Sequence, residues 1–139
     1  MKKAIESKNS PRAIGPYSQA IKINNLIFCS GQVGKDPKTN AFVEGGVDKQ
    51  TKQVLENLKA VLAEVGADFS NVVKTNVYLK NIVDFPKMNE IYASYFQKPY
   101  PTRATVEVAR LPQDALIEID CIAFIDEKGC CGEGSCNCC

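Results

Sequence analysis

Residues 47–65 constrain this chain more than any other stretch. Val47, Thr51, Val54, Leu55, Leu58, Val61, Leu62 and Val65 recur at three- and four-residue steps, while Lys49, Lys52, Gln53, Glu56, Lys59 and Glu64 fill the other side. That period predicts an amphipathic helix, and Gly66 is a natural stop. A helix with one apolar stripe needs a surface to cover. The rest of the chain supplies one. Ala20–Ile23 and Leu26–Cys29 are short apolar runs split by Asn24-Asn25. Asn tolerates positive φ, so the pair predicts a two-residue hairpin, with its second strand ending at Ser30-Gly31-Gln32-Val33-Gly34. Val72 to Leu79 is rich in β-branched residues and predicts a third strand.

A second helix is expected after Asp84, which can cap it, with Pro86 tolerated in the first turn. Phe85, Met88, Ile91, Tyr92, Tyr95 and Phe96 mark its buried side, and Pro99 and Pro101 end it. Two strands follow, over residues 104–109 and 116–125, with Leu111-Pro112-Gln113-Asp114 as the turn between them. Ile117, Ile119, Cys121, Ala123 and Ile125 fall on one face of the last strand. These elements predict an α+β fold, both helices on one face of a single sheet. The other face is expected to be apolar and to drive oligomerisation. If Ala109 pairs with Leu116, Glu118 faces Glu107 and Arg103 faces Ile122, about four residues or roughly 13 Å apart along the ladder.

No repeat or linker precedes residue 126, so the expected organisation is one domain over 1–125 and a Cys-rich tail over 126–139. The length of 139 residues suits one domain. Five of the seven cysteines crowd the last ten residues, leaving Cys29 and Cys121 as ordinary strand residues in the body. The tail is too Gly-rich to form a core and is expected to be flexible. Its thiols could hold Zn²⁺ or a soft metal, but it lacks paired CxxC spacing, so an extension without a metal is favoured.

The chain contains no His, which excludes Ser-His-Asp and Cys-His catalysis and every imidazole acid or base. Lys and Arg number 17 against 16 Asp and Glu, so the net charge of +1 gives no global pull on nucleic acid. No apolar run approaches the roughly 20 residues that span a bilayer. With so few body cysteines and no secretory signal after Lys2-Lys3, a cytoplasmic location is expected.

Three places could carry chemistry. In Pro101-Thr102-Arg103-Ala104-Thr105-Val106-Glu107, Arg103 offers a planar fork that matches a carboxylate, or simply ends a loop. In Ile117-Glu118-Ile119-Asp120-Cys121, two carboxylates share a strand face, which is either solvated or set in a cleft where a carboxylate can orient water. Gly15-Pro16-Tyr17-Ser18-Gln19 and Cys29-Ser30-Gly31-Gln32 form ordinary turns or bring backbone close to a small ligand.

The residues from about 4 to 125 resemble the RidA (YjgF) family of imine and enamine deaminases. The resemblance rests on Ala13-Ile14-Gly15-Pro16-Tyr17-Ser18-Gln19-Ala20, Ser30-Gly31-Gln32, Asn57-Leu58-Lys59-Ala60 and Val73-Lys74-Thr75-Asn76-Val77-Tyr78-Leu79. It closes with Pro101 to Pro112 and Ile117-Glu118-Ile119. It implies a chorismate-mutase-like fold with a single mixed sheet, and a homotrimer with clefts at subunit interfaces. It also implies hydrolysis of 2-imino acids and their enamine tautomers, such as 2-aminoacrylate, to 2-keto acids and ammonia, without cofactor or metal. By position, Arg103 would grip the substrate carboxylate and Glu118 would hold the attacking water. Tyr17, Ser30, Gly31, Asn89 and Thr105 would line the pocket. Thr105 departs from the Cys that many bacterial members carry, which bears on substrate preference. The separation of Arg103 and Glu118 leads to the expectation that each site draws them from different subunits. The competing readings are an endoribonuclease or translation inhibitor, which the charge disfavours, and a non-catalytic keto-acid binder.

Overall fold

A computed structural model describes residues 1–126. The tail expectation, including any metal on its thiols, falls on residues outside that range. The described chain runs β1 (Lys3–Ile5), β2 (Ala20–Ile23), β3 (Leu26–Val33), α1 (Gly46–Ala63), β4 (Val72–Leu79), α2 (Phe85–Tyr95), β5 (Thr102–Glu107) and β6 (Ile117–Phe124). The strands form one mixed sheet in the order β1-β2-β3-β6-β4-β5.

The periodic helix appears where the sequence placed it. Val54, Leu55, Leu58, Val61 and Leu62 of α1 are buried, against a sheet face formed by residues such as Ile27, Val77, Ile117 and Ile119. The second helix lies beside the first on that face, and its Met88 and Tyr92 are buried. The Asn24 hairpin is also present. Ile23 pairs with Leu26, and Asn24 takes a φ of 49°. Cys29 and Cys121 are direct partners across β3 and β6, both buried and free. A hydrogen bond with Cys29, reinforced by burial, pushes the Cys121 thiol up.

Four expectations need correction. First, β1 was not foreseen, since three residues are too short for a pattern. Second, β3 does not end at Ser30. It bulges there and continues to Val33, with Cys29 opposite Cys121 and Gln32 opposite Ile119. The bulge sets Ser30 and Gly31 against the single residue Asp120. Third, β5 does not form a hairpin with β6. It runs parallel to β4, which separates the two, and spans 102–107 rather than 104–109. The physical reason is the helix between β4 and β5. A strand–helix–strand unit returns its second strand parallel to the first. The β5–β6 connection then carries the chain past β4 through Gln113 and Asp114, both left-handed at φ 54° and 59°, with Asp114 paired to Lys80 at 2.8 Å.

Fourth, the open sheet face is not apolar throughout. Leu26 pairs with Phe124 and Phe28 with Ile122, and Leu26, Phe28 and Phe124 are exposed. The same face carries Asn76, Tyr78, Glu118 and Asp120, all partly buried. Among the described residues, no helix is long and apolar enough to cross a membrane.

Candidate functional site

Register decides where the two leading residues point. Arg103 is the partner of Thr75 on β4, and Glu118 is the partner of Tyr78. Positions 75 and 78 are three apart on an unbroken stretch of β4, so they face opposite ways. Thr75 is buried beneath α2, and Arg103 therefore lies on the helix face. Glu118 lies on the open face. Three steps along the strands and two strand spacings across put their Cα atoms about 14 Å apart.

On the helix face, Arg103 is held by α2. Its Nη1 donates to Asn89 Oδ1 at 2.8 Å. Its Cζ lies 4.7 Å from the Tyr92 ring centroid and 5.4 Å from that of Phe85. The Tyr92 hydroxyl is fixed by Thr75 Oγ1 at 2.8 Å. Burial, the largest influence, raises the Tyr92 phenol, so it stays neutral beneath the guanidinium. The π faces attract the cation without neutralising it. Arg103 is exposed and keeps donors free for a carboxylate. Thr105, the partner of Val77, shares this face two residues on. Its Oγ1 is buried and lacks a hydrogen-bond partner among the described residues.

On the open face, Glu118 leans over the bulge. A Cβ built on Gly31 would fall on Glu118 Oε1 and lie 2.9 Å from its Cδ. Gly31 is thus the residue that makes room for this carboxylate. Burial, then the neighbouring Asp120, raises the Glu118 carboxyl above its ordinary 4.5. Glu118 opens on a cleft of about 420 Å³ that also includes Tyr17, Ser30, Gly31, Arg12, Lys35 and Gln113. Ser30 Oγ donates to Ser18 O at 2.6 Å, which ties the bulge to the segment carrying Tyr17.

The structure therefore brings together Glu118, Tyr17, Ser30 and Gly31 in one place, and Arg103, Asn89 and Thr105 in another. It does not unite the two groups within one chain. The earlier hairpin register was wrong in detail, but the separation it led to stands and is reinforced by the opposed faces.

Several supporting residues escaped the sequence reading. Buried Gln19 accepts from Ser7 N at 2.6 Å and donates to Pro11 O at 2.8 Å, holding the segment before Tyr17. From α1, Asn57 Nδ2 donates to Lys35 O at 2.9 Å, and Gln50 Oε1 accepts from Leu116 N at 3.0 Å. These clamp two loops beside the cleft. The available signal was an amide seven residues from another on the apolar stripe of a helix, where buried amides need partners.

A mixed sheet covered by two helices, with a carboxylate-bearing cleft on its open face, defines an α+β protein with a cleft of small-molecule size. Residues 7–125 match the family model described as Endoribonuclease L-PSP, and the chain belongs to that family, which includes the RidA proteins its motifs resemble. The chain is 52% identical over 124 residues to Reactive Intermediate Deaminase A, chloroplastic, of Arabidopsis thaliana, covering 89% of this chain and 66% of that protein. It is 48% identical over 123 residues to the 2-iminobutanoate/2-iminopropanoate deaminase of Mus musculus, covering 88% and 91%. Among solved structures, E. coli TdcF with bound serine superimposes with a TM-score of 0.85 at 38% identity, covering 88% of this chain and 98% of that one.

Proposed function

We propose that this protein hydrolyses 2-imino acids and their enamine tautomers to 2-keto acids and ammonia. The observation that carries the reading is Glu118, a half-buried carboxylate of raised proton affinity, seated over Gly31 in a small cleft. The named activity of the mouse relative and the serine bound by TdcF supply the substrate class: a small molecule with a carboxylate beside an amino-bearing carbon.

The chemistry fits the residues. The guanidinium of Arg103 grips the substrate carboxylate through two parallel hydrogen bonds. An imine carbon is already electrophilic, so no covalent nucleophile is required. Glu118 takes a proton from water as its oxygen bonds to C2 and returns it to the imine nitrogen, giving a carbinolamine. Glu118 then takes the hydroxyl proton as the keto group forms and passes it to the nitrogen as the C–N bond breaks, so ammonia leaves. One water is consumed, and the carboxylate is regenerated.

Both residues serve one substrate only if the Arg103 half of one copy meets the Glu118 half of another. A homotrimer with its sites between subunits supplies that arrangement. The exposed Leu26–Phe28–Phe124 patch gives the open face a reason to be covered. The test is keto-acid release from freshly generated 2-aminoacrylate. Arg103→Ala is expected to abolish release at working substrate levels while the oligomer persists, and unchanged turnover would overturn the reading. The keto-acid-binder alternative separates at Glu118→Gln, which a binder tolerates and a catalyst does not.

The family model's description also names a ribonuclease activity. A net charge of +1 and the lack of any basic run beyond Lys2-Lys3 speak against a phosphate-backbone footprint.

A further inference from the structure

Asp120 is held on the open face by two side-chain hydrogen bonds, and it lies outside the cleft. Its Oδ1 accepts from Asn76 Nδ2 at 2.9 Å, and its Oδ2 accepts from the Tyr78 hydroxyl at 3.2 Å. Both donors come from β4, and both are neutral. Two neutral donors hold the carboxylate in place without bringing a positive charge to it. Asp120 projects from the same face of β6 as Glu118, two residues away, or about 7 Å between Cα atoms. Tyr78 is the direct partner of Glu118 and also reaches Asp120, so one side chain spans both carboxylates.

We propose that Asp120, clamped by Asn76 and Tyr78, is a positioning residue for the hydrolytic step: a fixed negative charge that makes Glu118 the group that takes and holds the proton. The inference rests on Glu118 being the base. The groups around Glu118 are few. Its own strand contributes Asp120, and β4 contributes Tyr78. β3 presents Val33, its direct partner, with Ser30 and the backbone of Gly31, none of them charged. Arg12 and Tyr17 of the N-terminal segment, and Lys35 after β3, line the wider cleft. Asp120 is thus the anion facing Glu118, and it acts in the same sense as burial. Burial alone would also raise a lone carboxyl. The second charge adds to it and is held at a fixed distance by two hydrogen bonds. A base is most effective when its proton affinity approaches the working pH.

The sign follows directly. Activity requires ionised Glu118, so kcat/KM falls as pH drops through the raised value of that carboxyl. Removing the neighbouring charge lowers that value, so the acidic limb moves to lower pH. Asp120→Asn keeps the shape and loses the charge. Its acidic limb is expected to move down by about 0.5–1.5 pH units, with a severalfold lower rate on the plateau. A carbon-13 titration of the Glu118 carboxyl in wild type and Asp120→Asn reads the same shift without relying on turnover. A residue that only ties β4 to β6 would lower thermal stability and leave both readouts where they were, and that result would overturn the proposal. Glu118→Gln serves as the control for the underlying reading. If it stays active, Glu118 is not the base and that reading fails. If it is inactive while Asp120→Asn matches wild type in limb and titration, only the role of Asp120 fails.

Discussion

Arg103 and Glu118 sit on one sheet, yet their surroundings are opposite in kind. Arg103 is exposed and rests on the rings of Tyr92 and Phe85, with a single amide contact from Asn89. Among the described residues, no carboxylate pairs with it. Glu118 is half-buried, pressed against glycine backbone, and placed beside a second carboxylate. There the charge is disfavoured, and the proton is held more readily. The first setting suits a group that binds an anion and does not change. The second suits a group that gains and loses a proton in each turnover. In the proposed function, the helix face would bind and the open face would do the chemistry.

That division can be broken by experiment. The largest effect is expected at Glu118→Gln, with kcat reduced by about 10²–10⁴ and ligand affinity retained. Arg103→Ala is expected to act through KM, raising it by about 10²-fold as one charged hydrogen-bonded grip is lost. If both variants fell in kcat alone, the division would be wrong.

Gly31→Ala comes next. The added methyl cannot coexist with the present position of the Glu118 carboxylate, which must swing away. Turnover is expected to fall about tenfold with little change in KM, because a misplaced base loses alignment before it loses function. A rise in KM without a loss of kcat would place Gly31 in substrate binding instead.

Tyr92→Leu should have the smallest effect, raising KM about threefold to tenfold through loss of the aromatic platform beneath Arg103. Tyr92→Phe keeps the ring and removes only the Thr75 bond, so its KM should stay near wild type. Equal effects from both variants would show that the hydroxyl matters and the π face does not.

Much of this was legible in the sequence where periodicity dominates. The apolar stripe of α1, the Asn24 hairpin and the alternating face of β6 all follow from local spacing. The pairing of β5 was not legible by the same route. A short connection and a turn motif between residues 107 and 117 looked like a hairpin, whereas the decisive feature was the helix upstream, which required a parallel return beside β4. The bulge at Ser30-Gly31 was read as a strand end because a glycine interrupts alternation. Its role in seating Glu118 depends on β6, which is about ninety residues away in sequence. Asp120 was visible as a second carboxylate on the face of Glu118, but its clamps lie on β4. Gln50 and Asn57 lie on the buried side of α1, but the loops they hold could not be placed from the sequence. The proposed pairing of Arg103 with Glu118 across copies was expected from their spacing along the sequence, and their opposed faces add a second reason for it.

The most direct test of that last claim uses mixed oligomers. At substrate levels that saturate only the wild type, Arg103→Ala and Glu118→Ala chains are each expected to be nearly inactive alone. Co-assembled at equal ratio, they are expected to regain about a quarter of wild-type turnover, since in a ring of subunits one site in four then joins an intact Arg103 to an intact Glu118. Verified mixed trimers with no recovered activity would show that each site is built within one chain, and would contradict the account.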